Sequence, residues 1–415
     1  GGATLNGGDD NDTFNFAPQA TTTFNVNGNP PVFSDGPPGD TLNLTLTGVT
    51  GAALSVGPVR GDGQYTFSNR NSVTYESIET IATTPAVVPM PVTYNGTGGD
   101  DNLWLRIDNN GGDPRLELLA GVTISVTGGG AIDIDDTGSS IVDSRLLSGV
   151  TSYTVNGLAG NDQLVIDYGY APDSGDDLAA TDVTFNGGDP TTGLGDALFV
   201  KEGTFGKVVY NYTDANSGNI ENYSDDAGTS LQSTITYTGL EPITNTGTLT
   251  NIEFNLPASA DTQAILEDDG TTGNTLSRLR SNPVAFEQTD FANPTGSVTI
   301  NRGAATDDLT VNALPDFDRS LRIGGMSAPL DEVSFAGDVN LGTGGVLDVY
   351  GTQIGVAATV STDDGNLTLT AVDQAGGAEH IEVQAGAVFR SASGDVTLRA
   401  GDNLYLRDSS TVEAT

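Results

Sequence analysis

Carboxylates gather at a small set of glycine-rich corners in this chain. Asp12 closes Gly7-Gly8-Asp9-Asp10-Asn11-Asp12, and Asp100 and Asp101 close Gly96-Thr97-Gly98-Gly99-Asp100-Asp101. Asp162 ends Gly157-Leu158-Ala159-Gly160-Asn161-Asp162, and Asp307 and Asp308 end Gly303-Ala304-Ala305-Thr306-Asp307-Asp308. Carboxylate and carbonyl oxygens are the hard ligands that calcium takes. The same residue types also build turns with no ion, because glycine reaches φ > 0 and Asn or Asp side chains bond back to nearby backbone. Two chemistries are therefore open at these corners: calcium ligation, or turn formation alone.

The elements that must hold these corners are strands. Asn156 to Asp167 reads as an Asn-Gly corner, an acidic Gly-Asn-Asp turn and an outgoing alternating run, Leu164-Val165-Ile166. Thr41-Leu42-Asn43-Leu44-Thr45-Leu46-Thr47 alternates with period two, the pattern of a half-buried strand. No apolar 3.6-residue period lasts three turns, and the one short helix expected lies near Leu276 to Leu279. Prolines crowd the stretch from Asn29 to Asp40, which reads as a surface loop, and again the joint from Pro85 to Pro91. The last ninety or so residues hold short strands at close, even spacing, such as Gly365-Asn366-Leu367-Thr368-Leu369 and Gly394-Asp395-Val396-Thr397-Leu398. That spacing suits a β-helix, in which each turn of chain buries its alternate side chains on the next.

Composition narrows the partners. The 15 Lys and Arg face 55 Asp and Glu, a net charge of −40 that repels nucleic acid and anionic membrane surfaces. No cysteine is present, which excludes disulfides and thiolate metal sites. No apolar run is long enough for membrane insertion. Gly numbers 55 of 415 residues, yet the apolar share of 36% suffices for a core. The chain opens inside a Gly-Gly motif, so a segment of a longer polypeptide is expected.

Internal similarity supplies a domain scheme. Val73-Thr74-Tyr75-Glu76-Ser77-Ile78-Glu79 matches Ile235-Thr236-Tyr237-Thr238-Gly239-Leu240-Glu241, 162 positions on. Gly39-Asp40-Thr41-Leu42 matches Gly195-Asp196-Ala197-Leu198, and the Asn156 corner matches the one at Asn301. Residues 1–26 are then the end of a preceding repeat, 27–185 and 186–325 two copies of a β-rich unit, and 326–415 regular repeats expected to continue beyond the segment.

The corners resemble the calcium-binding nonapeptide of repeats-in-toxin proteins, Gly-Gly-x-Gly-x-Asp-x-apolar-x. Gly7 to Asn15 lacks only the third glycine of that pattern and Gly157 to Val165 only the second. The C-terminal strands resemble the β-helical repeats of filamentous-haemagglutinin-type adhesins. Together they resemble the large repeat-built surface and secreted proteins of bacteria. The resemblance implies calcium at Asp12, Asp162 and Asp307, with Asp100, Asp101 and Asp308 as second choices. In the toxin family the nonapeptides follow one another directly, whereas here they stand tens of residues apart.

Catalytic machinery is sparse. The single histidine, His380, has no nucleophile motif beside it, and Arg278, Arg280 and Arg322 are the basic residues weighed for a β-helical polysaccharide lyase or hydrolase. Trp104, Tyr210, Tyr212 and Tyr223 are weighed as sugar platforms against core packing. The expectation is an all-β, elongated parallel β-helix or β-solenoid with irregular loops, tandem β-sandwich domains being the alternative fold. The expected role is a non-enzymatic extracellular or cell-surface structural or adhesive protein. Such a protein would self-assemble with copies of itself into a fibre, surface layer or biofilm matrix, with calcium as cofactor and matrix polysaccharide as a further partner.

Overall fold

The computed structural model describes residues 1–29, 39–109, 113–170, 178–190, 195–258, 262–374 and 377–415. Most of the Pro-rich stretch from Asn29 to Asp40 lies outside these residues. The chain is all-β: among the described residues the helical elements are two single 3-10 turns, Leu147–Gly149 and Leu178–Ala180. Period-two alternation sets the strands. Thr41–Thr45 buries Leu42 and Leu44 while its threonines and asparagine stay at least partly exposed.

Two compact units divide the chain, Gly1–Thr123 with Ile134–Asp196, and Ile124–Asp133 with Ala197–Thr415. In the first, Ala53–Val56 pairs parallel with Met90–Asn95, which pairs with Val150–Gly160, which pairs with Asp182–Pro190. This register sets Val155 between Tyr94 and Phe185, and Tyr153 between Val92 and Val183, all six side chains being buried. Antiparallel excursions interrupt the parallel ladder. Gly63–Thr66 joins Ala53–Val56 to Val73–Glu76, and Arg115–Ala120 lies between Asn102–Asp108 and Ser140–Leu146.

The second unit repeats the plan. Ser217–Tyr223 lies antiparallel between Thr204–Asp214 and Leu231–Thr238, and Leu276–Ser281 between Gln263–Asp268 and Thr289–Ala292. Towards the C-terminus three parallel ladders bring like onto like. One stacks Leu321, Leu347, Leu367 and Val396; another stacks Val333, Ile354, Ile381 and Leu404; the third stacks Val339, Val360, Phe389 and Val412.

The helix expected near Leu276 to Leu279 is a strand instead. Ser277, Leu279 and Ser281 face inward, while Arg278 and Arg280 occupy the other face and pair with Asp290 and Glu267 on the two neighbouring strands. Two leucines three residues apart suit a helical period and fall on opposite faces of this strand, and cross-strand ion pairs decide for the sheet.

The matching segments 162 positions apart occupy matching places. Tyr75 lies opposite Gly63 and Tyr237 opposite Gly218 in their antiparallel pairs, each ring covering the bare glycine. A methyl on Gly218 would stand 2.5 Å from both Tyr237 Oη and Asn211 O, so the tyrosine fills the space that a side chain would take. Further along this unit, Phe254 stacks on Tyr210 with centroids 4.9 Å apart and contacts Phe291 at 5.1 Å. Tyr210 and Tyr212 are therefore core residues; Tyr223 is half-buried and donates to Glu221 at 2.7 Å. Because Phe254 is fully buried at the centre of this group, Phe254→Ala should lower unfolding free energy by about 3–5 kcal/mol, measured by chemical denaturation.

Candidate functional site at the stacked corners

Where a parallel strand bends into its corner, backbone N–H groups leave the ladder and need other acceptors. Stacked side chains supply them here. Asn95, Asn156 and Asn186 share one register of the first unit. Asn186 Nδ2 donates to Asn156 Oδ1 and Asn156 Nδ2 to Asn95 Oδ1, each at 2.8 Å, and Asn95 Nδ2 donates to Ser55 Oγ at 3.0 Å. In the second unit Asn301 donates to Asn255 at 2.9 Å and Asn255 to Asn211 at 2.7 Å.

A few residues beyond each asparagine, a carboxylate accepts the amide of the neighbouring corner. Asp101 N donates to Asp162 Oδ1 and Asp162 N to Asp196 Oδ1, both at 2.7 Å. Asp12 N donates to Asp40 Oδ1 at 2.6 Å, and Asp40 N to Glu79 Oε2 at 2.5 Å. Thr262 N donates to Asp307 Oδ1 at 2.9 Å, while Gly303 N and Ala304 N donate to its Oδ2 at 2.8 Å. Local amides close the remaining sides: Gly8 N on Asp12 Oδ2 at 2.6 Å and Thr97 N on Asp101 Oδ2 at 2.7 Å.

The glycine of each Asn-Gly pair serves close approach. A methyl on Gly157 would overlap Asp162 Oδ2, and one on Gly28 would overlap Asp40 Oδ2. In the Asn156 corner the left-handed conformation falls on Leu158, with φ of 83°, rather than on Gly157.

The six aspartates singled out from sequence thus take distinct places. Asp101 and Asp162 are buried and stacked, and Asp196, which the sequence marks only as part of a repeat, continues their series. Exposed Asp100 accepts from Asn161 N at 2.8 Å. Asp12 stacks with Asp40, while Asp307 and the half-buried Asp308 lie in the second unit, Asp308 accepting from Glu332 N at 3.0 Å. Among the described residues no three His, Asp or Glu side chains converge to hold a metal ion. The Oδ1 atoms of Asp40, Asp162, Asp196 and Asp307 face amide N–H groups.

Burial pushes the Asp162 carboxyl up to about 6, with the charges of Asp196, Asp101 and Asp100 adding to the rise and the Asp101 N–H opposing it. Burial likewise raises Asp196. Asp40, Asp162 and Asp196 each keep an Oδ2 with no hydrogen-bond partner among the described residues.

A second polar group lies in the first unit, and no sequence spacing announces it. Arg145 pairs with Asp143 at 2.9 Å, and Tyr153 Oη donates to Asp143 Oδ2 at 3.0 Å. Arg106 pairs with Glu117 at 3.1 Å and packs over Trp104, whose Nε1 donates to Asp167 at 3.1 Å. The residues weighed for catalysis are engaged elsewhere. Arg278 forks onto Asp290 at 2.6 and 2.8 Å, Arg280 binds Glu267 at 2.6 Å, and Arg322 lies 3.7 Å from Asp348. His380 Nδ1 meets Ala378 O at 3.1 Å, and its ring stands edge-on to Tyr405.

Removing the Asp162 carboxylate strands the buried Asp101 N–H, so Asp162→Ala should cost about 1–3 kcal/mol in denaturant unfolding. Asp162→Asn keeps an acceptor and should cost less. The folded carboxyl titrates above the unfolded one, which titrates near 3.9. Its contribution is therefore fully present below about pH 4 and lost as pH rises through about 6. Melting curves at pH 4 to 7 should show a fall with rising pH that is shallower in Asp162→Asn than in the parent chain. Comparison with protein-family models, with curated proteins and with solved structures finds no match.

Proposed function

We propose that the chain is a structural or adhesive repeat protein of the extracellular space or cell surface, wound for much of its length as a parallel β-helix, with antiparallel excursions as its irregular loops. The observation that carries this reading is the repeated stacking of like residues in parallel register, with Asn on Asn and carboxylate on corner amide, in both units. Such stacking extends a fold by adding copies of one unit, and stability accumulates from neighbour to neighbour. Enclosed catalytic groups are not needed for that role; a regular, water-loving surface is, and the charge of −40 supplies it.

The same register supports self-assembly. Parallel ladders leave strand edges whose backbone groups a second copy of the chain can pair, giving a fibre or a surface layer. Calcium enters as an addition to the amide caps rather than as their substitute, because the caps take the Oδ1 atoms of Asp40, Asp162 and Asp196 and leave the Oδ2 atoms without a hydrogen-bond partner among the described residues.

Electron microscopy and light scattering of the purified chain, with and without a chelator, test this reading. The expected result is concentration-dependent assembly that persists in the chelator. Monomers alone at every concentration would refute self-assembly. Collapse of the assembly in the chelator, restored by calcium, would assign the corners to the ion.

A further inference from the structure

Of the 15 cationic side chains in this acidic protein, Arg60, Arg115 and Arg145 line one cavity of about 510 Å³ in the first unit. They reach it from separate places: Arg60 from the turn after Ala53–Val56, Arg115 from the start of Arg115–Ala120, and Arg145 from Ser140–Leu146. Arg145 is committed to Asp143. Arg115 is not committed in this way. Its Nε and Nη2 donate to Ser144 Oγ and Ser144 O, both at 2.8 Å, and among the described residues no carboxylate lies within ion-pair distance. Burial and the like charge of Arg115 both lower the Arg60 pKa, against the pull of Glu117 and Asp143, so two guanidinium groups share this space.

The acids along the same wall are already in use. Asp62 accepts from Ser77 N at 2.9 Å, Glu79 from Asp40 N at 2.5 Å, and Asp143 holds Arg145 and Tyr153. The cavity meets a second one of about 190 Å³ at Ile81, Arg115, Ser144 and Arg145. That neighbour is lined by Leu54, Val87, Val88, Met90 and Val92 and also by the polar Tyr65, Thr83 and Ser144, so the Pro-rich joint supplies one apolar wall beside a guanidinium.

We propose that Arg115 and its adjoining apolar pocket bind a small organic monocarboxylate, the guanidinium holding the carboxylate and the pocket holding a compact aliphatic group. Planar guanidinium donors match a carboxylate. A charge of −40 disfavours a polyanion, and the valine, leucine and methionine lining disfavours a ligand made of hydroxyls alone. The carboxylate has two sources, a free branched acid or the C-terminal apolar residue of a peptide.

Calorimetric titration of the whole chain with 4-methylpentanoate, its amide, acetate and N-acetyl-leucine tests the site. The acid should bind at least about tenfold more tightly than the amide and than acetate. N-acetyl-leucine binding more tightly than the free acid would point to a peptide C-terminus, and weaker binding to a free acid; either result supports the site. Arg115→Gln should lose at least about tenfold in affinity, and Val88→Gln should weaken 4-methylpentanoate but leave acetate unchanged. Melting curves of both variants establish that they fold; if Arg115→Gln does not, Val88→Gln and the amide carry the test. Equal binding of acid and amide, or no binding of either, overturns the proposal.

Discussion

A buried carboxylate that accepts the amide of the corner beside it is the interaction on which the rest of this structure depends. Parallel strands of like sequence stack readily as long as they stay extended, because each ladder position pairs its own backbone groups. The difficulty arises at the bends, where N–H groups turn away from the ladder in a region too buried for water to serve them. Asp40, Asp162, Asp196 and Asp307 are all fully buried, and each answers an amide of the preceding corner. The hydrophobic rows can then close over the corners without leaving donors unmet.

This explains how an unusually acidic chain tolerates acids inside. Most of its carboxylates lie on the surface, where their repulsion is screened by water and salt. The interior ones sit among amide dipoles, and the cost of their burial appears as the raised pKa values of Asp162 and Asp196. The arginine-rich wall of the first unit solves the opposite problem. There Asp143 and Glu117 are neutralised by Arg145 and Arg106, and the Tyr153 hydroxyl completes the network.

Much of this is legible in the residues. Alternation of period two marks the strands, and the Asn-Gly pairs at Asn27 and Asn95 close theirs, whereas Val150–Gly160 and Asp182–Pro190 run on through Asn156-Gly157 and Asn186-Gly187. What the sequence does not convey is direction, since a carboxylate reaching for an ion and one reaching for an amide look alike as letters. Asp40 and Glu79 are hidden as caps because their partners lie 28 and 39 positions away. Leu276 to Leu279 misleads because four residues hold too little of either period, and the deciding ion pairs come from other strands. Arg60, Arg115 and Arg145 share no motif, and only the antiparallel excursion brings them to one cavity.

The asparagine ladder has a chemical consequence. Asn95, Asn156 and Asn186 each precede a glycine, the neighbour that least hinders attack of the following backbone nitrogen on the side-chain amide. That attack converts asparagine to aspartate or its isomer through a cyclic imide and needs the side chain to rotate out of place. Bonds of 2.8 Å to the residues above and below hold the amide away from that geometry. Ordered stacking is thus also chemical preservation. Where the ladder frays, ageing would place a new negative charge, or an extra methylene in the backbone, at the positions that keep the strands in register.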